Sequence, residues 1–120
     1  MRPIRAWNRY SKMMFYDIYI GPRSLLRDTG IMGEYAQLPF EYYEIMESTL
    51  LLDRKGENIW EGDILKTVLL CGVVRIDSVI YNVKEGAFTL SSGFYFARYL
   101  NEIIGNVYEH PELLRIGEGE

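Results

Sequence analysis

The sequence predicts a small, mainly β fold that closes as an antiparallel barrel, and three observations carry that prediction. Three β-forming runs, Ile64 to Leu70, Val73 to Val83 and Ala87 to Leu90, follow one another with only Gly72 and Lys84-Glu85-Gly86 between them. Such gaps leave no room for crossover helices, so the runs pair antiparallel as a meander. Upstream, Asp53-Arg54-Lys55-Gly56 and Glu61-Gly62-Asp63 place two turns around the apolar step Ile59-Trp60. Finally, ten Tyr, five Phe and two Trp in 120 residues suit half-buried strand faces or a contact surface.

In chain order, Met13 to Ile20 is rich in β-formers and stops at Gly21-Pro22, which predicts one strand. Arg23 to Gly33 carries Asp28, Gly30 and Gly33 and is expected to be an irregular connection. Pro39 argues against a helix over Tyr35 to Met46, so an extended segment is expected there, with a strand from near Tyr42 to Leu52. Phe94 to Leu100 fits either a strand or a helical turn. Glu102 to Tyr108 reads as a last strand whose Gly105-Asn106 forms a bulge or turn, and Pro111-Glu112-Leu113-Leu114 as a helical turn opened by proline. Short strands in so small a chain manage their edges by curling, hence the barrel. The division expected is one domain over 1–120, with an N-terminal β region at about 1–48, the barrel at about 49–114 and a frayed tail at 115–120.

Composition narrows the function classes. Hydrophobic residues at 48% and charged residues at 25% belong to a globular chain. The N-terminus is charged and lacks a signal-peptide core, and no apolar run approaches the ~18 residues of a membrane helix, so a soluble cytoplasmic protein with no membrane partner is expected. The single Cys71 lies in an apolar run, predicting a buried, inert thiol without an intrachain disulfide. The net charge of -4 is unevenly spread. Through Arg27, six basic residues face the single acid Asp17, for +5; from Asp28 to Asp63, nine acids face Arg54 and Lys55, for -7. That split suits a nucleic-acid surface or two patches that attract each other, within a chain or between subunits.

Along the chain a further set of residues resembles a known family. Arg5-Ala6-Trp7 with Met13 or Met14 soon after, the stretch Asp53, Gly56, Ile59-Trp60-Glu61-Gly62-Asp63-Ile64, and Ile104-Gly105-Asn106-Val107-Tyr108-Glu109-His110-Pro111-Glu112-Leu113-Leu114 resemble the three signatures of the YopX family, small proteins of phages and prophages. The blocks cover roughly a third of the chain but span nearly its whole length, in the family's order. The resemblance implies an SH3-like barrel in the second half, a phage or prophage origin with a bacterial host's cytoplasm as the location, and no catalytic residues to carry over. One departure stands out: the family usually has Thr-Gly-Leu where this chain has Thr49-Leu50-Leu51. That argues against a positive φ at position 50, because leucine seldom adopts one.

The candidate chemistry is thin. Glu61 and Asp63 alternate around Gly62, so in an extended chain both carboxylates face one side, as an acid/base or metal pair would; alternatively, Asp63 binds backbone N–H groups at the turn. His110 is the only histidine, without the partners of a zinc site or a nucleophilic triad. Gly30-Ile31-Met32-Gly33 matches the GXXG of RNA-binding KH loops but lacks their flanking helices. Phosphate-binding glycine patterns are missing. The best binding candidate is the basic, aromatic N-terminus: Arg5, Arg9 and Lys12 for phosphates, Trp7 and Tyr10 for stacking on single-stranded bases. The competing reading makes Trp7 core and pairs Arg5 with the acidic middle segment. The expectation is therefore a non-enzymatic module without cofactor or metal, which binds a protein or oligomerises, with single-stranded nucleic-acid binding as the alternative.

Overall fold

The structure, a computed structural model, describes residues 3–94, 96 and 100–114. They form a mainly β fold of several antiparallel sheets, one of them curled into a half-barrel, with a short helical turn at Glu112–Leu114. The chain divides into two compact units, Met1–Glu47 and Ser48–Glu120.

The first unit is built on β1 (Ile4–Asn8), which pairs on one side with β2 (Met13–Phe15) and on the other with the first half of β6 (Tyr43–Leu52). A strand flanked on both sides buries every residue from Ile4 to Trp7, Arg5 included. A second sheet runs in the order β3 (Ile18–Ile20), β4 (Leu25–Asp28) and β5 (Tyr35–Leu38), with Leu25 opposite both Ile20 and Leu38. Ile4, Ala6, Ile18, Leu25 and Tyr43 make the core, with Phe15, Leu38 and Phe40 packed against it. Three expectations change here. The strand expected over Met13 to Ile20 is two strands in different sheets, broken at Tyr16-Asp17. Arg23 to Gly33 is not all loop, because Leu25 fills the core while the Arg27 guanidinium lies 4.9 Å from the Phe15 ring centre. And Phe40–Tyr42 is a 3-10 turn, so β6 starts at Tyr43.

In the second unit, the far half of β6 pairs with β7 (Asn58–Trp60), and β8 (Asp63–Val68), β9 (Val74–Asn82), β10 (Ala87–Leu90) and β11 (Asn101–Asn106) form a sheet in the order β10-β9-β8-β11. The meander expected from Ile64 onward is present; the register of β11 against β8 shifts at Ile104, between Ile103 and Gly105, while Gly105 and Asn106, the expected bulge or turn, pair with Ile64 and Asp63. The half-barrel's core is Ile59, Leu65, Val79 and Leu90, with Phe88, Phe96 and Ile103 against it. Of the undecided segment Phe94 to Leu100, residues 95 and 97–99 lie outside the described residues, as does the expected tail 115–120. The apolar run around Cys71 is not core. It makes the β8–β9 turn, closed by Leu69 N–H to Val73 O and Gly72 N–H to Leu69 O, each 2.8 Å. Leu70 is 98% exposed and the Cys71 thiol is exposed with it.

Leu50 also departs from expectation, since its φ is +64°. It sits where β6 shifts register against β7 between Ser48 and Leu52. Two hydroxyls hold the bulge: Ser48 Oγ accepts from Leu50 N at 3.0 Å and Thr49 Oγ1 from Leu51 N at 3.1 Å. Both hydroxyls are anchored across the pair, Ser48 donating to Asn58 Oδ1 (2.8 Å) and Thr49 to the Ile59 carbonyl (2.6 Å). Short side-chain bonds to the local backbone thus impose a conformation that leucine alone disfavours.

Candidate functional site

The residues singled out in the centre and at the end of the sequence build a hydrogen-bonded frame. Asp53 Oδ1 accepts from the N–H groups of Lys55 and Glu57, both at 2.9 Å, and Oδ2 from Ile103 N–H at 3.1 Å. Burial on its own would raise this carboxyl, but those backbone bonds and the Lys55 charge outweigh it, holding the group below the usual carboxylate range. Gly56, at φ +83°, lets the turn close through Gly56 N–H to Asp53 O. Lys55 Nζ then meets Glu102 Oε1 at 2.7 Å; their bond lifts the lysine above its ordinary value and lowers the glutamate.

The second turn works the same way. Asp63 Oδ2 accepts from Trp60 N–H at 2.7 Å, so this carboxylate caps the turn, while Glu61 is half-buried beside it. Gly62, at φ +88°, donates to Val79 O (2.9 Å) and accepts from Val107 N–H (2.8 Å), which ties the β7–β8 turn to β9 and to the turn that follows β11. Ile59 and Ile64 are fully buried. In the last block, Asn106 Oδ1 accepts from Tyr108 and Glu109, and His110 N–H donates to Asn106 O at 2.8 Å. A Cβ on Gly105 would lie 2.6 Å from His110 Nδ1, so the glycine exists to admit the imidazole. Pro111 follows and opens the helical turn. Among the described residues no group of three or more His, Cys, Asp or Glu could hold a metal ion, and no helix is long and apolar enough to cross a membrane.

The N-terminal candidates are split. Arg5 and Trp7 are 2% and 6% exposed, inside β1, and the Arg5 guanidinium approaches the Tyr16 ring at 6.0 Å. Arg9 is exposed but gripped by the acidic segment, with Nη2 2.7 Å from Glu44 Oε1 and Nη1 donating to Glu41 O. Attraction between basic and acidic segments therefore operates through Arg9 within the first unit. Tyr10 and Lys12 sit in the β1–β2 turn, Tyr10 edge-on to Tyr42 at 5.2 Å and Lys12 at φ +59°. Gly30 to Gly33 forms the β4–β5 turn between strands, not the helix–loop–helix of a KH module.

A different place in the first unit is shaped to receive something. A groove of about 440 Å³ is lined by Pro3, Ile4 and the unbroken run Tyr16 to Ile20. Tyr16, Asp17, Tyr19 and Ile20 are exposed around it. Sequence reasoning missed this site because Tyr16 to Ile20 read as the end of one ordinary strand. The one signal available was Asp17, the sole acid among the first 27 residues.

The profile of the family described as YopX protein matches residues 4–115. The chain belongs to the YopX family. Members of the YopX family are small phage and prophage proteins of unknown function. In solved structures, this YopX chain is similar to protein EF1440 from Enterococcus faecalis, at 25% identity and a TM-score of 0.74, covering 95% of this chain and 98% of that one. It is also similar in fold to protein yopX from Bacillus subtilis, at 19% identity and a TM-score of 0.60, covering 92% and 95%. No curated protein matches the chain.

Proposed function

We propose that the protein acts without catalysis, as a phage or prophage module that binds another protein. The observation carrying this reading is the apolar and aromatic surface of the first unit, where Tyr16, Tyr19, Ile20, Ile31, Met32 and Tyr35 are all exposed. Tyrosine and methionine are enriched in protein interfaces, and clustered exposed apolar residues mark interaction surfaces. Both conspicuous carboxylates, Asp53 and Asp63, serve as backbone acceptors, which leaves them occupied in the frame. Against the single-stranded nucleic-acid reading, two of its five residues, Arg5 and Trp7, are buried, and Arg9, though exposed, is paired with Glu44.

The test is a pull-down from host cells with and without nuclease, beside light scattering of the purified protein. A nuclease-resistant protein partner or a defined homo-oligomer supports the reading. A monomer that captures no protein, or captures it only through nucleic acid, refutes it.

A further inference from the structure

The groove in the first unit has an unusual lining. A pocket on one face of a strand touches alternate residues, because neighbouring side chains point to opposite faces. This one touches all three residues of β3, Ile18, Tyr19 and Ile20, together with the break Tyr16-Asp17 before it. A cavity that meets every residue in turn runs along the strand's edge, where the backbone is. β3 is indeed an outer strand, hydrogen-bonded to β4 on one side only among the described residues. Natural edges are commonly blunted by lysine, proline or a bulge. Ile18–Ile20 carries none of these, its shortness of three residues being its one protection, and Pro22 comes only after the strand has ended at Ile20.

Charge selects the occupant. Asp17, just before β3, is exposed and lines the groove. Among the described residues, Arg5 is buried against Tyr16 and Arg27 lies over Phe15, and no ion pair to Asp17 is seen. A carboxylate in an apolar rim repels a nucleic-acid phosphate or an anionic lipid headgroup and attracts a lysine or arginine. Backbone at a sheet edge is recognised by another backbone, in strand addition.

We infer that the β3 edge takes an extended segment of another protein, added as a fourth strand to the β3-β4-β5 sheet, with an apolar side chain in the groove and a lysine or arginine against Asp17. This rests on the protein-binding reading above and names its place and its ligand.

The test probes the full chain with an array of random nine-residue peptides. The bound sequences are expected to share an apolar residue within two positions of a lysine or arginine. D17N should weaken them about two- to fivefold, the size of an exposed ion pair, and D17K should turn the preference toward acidic peptides. I20K, at an exposed position, should abolish binding without lowering the melting temperature. Absence of selective binding overturns the inference, as does a peptide set unchanged in D17K and I20K. So does a concentration-dependent dimer that I20K dissolves, which would give the edge to a second copy. If I20K keeps a captured host protein, the inference falls while the protein-binding reading stands; if the protein is a monomer, nothing is captured and the array is blank, both fall.

Discussion

Replacing Leu50 by glycine should stabilise the protein relative to alanine at the same position, reversing the usual order of the two residues in a strand. A side chain with a Cβ costs about 1–2 kcal/mol in the left-handed region that Leu50 occupies at φ +64°. Alanine keeps that cost, and glycine removes it. Against this, glycine widens the unfolded ensemble and gives back about 0.4–1 kcal/mol. The balance favours L50G over L50A by about 0.5–1 kcal/mol. Both variants lose the same exposed side chain, which is 60% accessible, so the comparison isolates the backbone. At about 2.1 cal/mol/K per residue, 120 residues have an unfolding entropy near 0.25 kcal/mol/K, and the difference becomes about 2–4 °C in melting temperature. Calorimetry of L50G, L50A and L50N should rank glycine first and alanine last, because asparagine tolerates this region better than alanine. An L50A melting temperature equal to or above that of L50G would refute the strain argument and return position 50 to ordinary extended backbone.

Other outcomes follow from the frame. G105A should cost about 1–3 kcal/mol in urea unfolding, and H110A should recover part of it by removing the ring that the new methyl meets; additive effects would show that the two do not touch. Because the Asp53 carboxyl is held below its ordinary value of 3.8, its contribution is complete above that pH and is lost as pH falls through the lower folded value. D53N should therefore destabilise by about 2–4 kcal/mol at pH 7, by removing charged acceptors and stranding Ile103 N–H, and should flatten the loss of stability below about pH 4. An unchanged acid profile in D53N would place that loss elsewhere. T49V should cost about 1–2 kcal/mol, since valine keeps the shape but loses both the bond to Ile59 O and the acceptor for Leu51 N–H. Native protein should react with a thiol reagent at the rate of a free thiol, at one equivalent; a slow reaction limited by unfolding would contradict the exposure of Cys71.

What the sequence discloses depends on the range of the interactions involved. β8, β9 and β10 are readable because each pairs with its sequence neighbour and the turn residues Gly72 and Gly86 mark the joints. The Asp53 and Asp63 turns are readable because an acid beside a glycine has few other uses. The conformation of Leu50 is not, because a pair of hydroxyls anchored to β7, ten residues away, overrides a residue preference. Arg5 looks like surface in any composition argument, yet β1 is paired on both sides, so its third dimension is set by β2 and β6. Cys71 misleads for the opposite reason: its neighbours are as apolar as a core strand, but the hairpin puts them at its tip. The groove escapes because an edge is a property of strand order, and the order β3-β4-β5 becomes visible only when β4 is recognised inside a segment rich in turn residues.

The bond from Ile103 to Asp53 spans fifty positions, and Arg54 N–H reaches the carbonyl of Asn101 beside it. These contacts set a folding schedule. Neighbouring hairpins such as β8–β9 can zip as soon as their turns form, on the microsecond scale of hairpin formation. The Asp53 turn must wait for β11, and the loop entropy of that long excursion is met before its contacts give anything back. The Asp53 carboxylate can receive its third N–H only once β11 is in place, so the last part of the chain to be made completes a turn laid down fifty residues earlier.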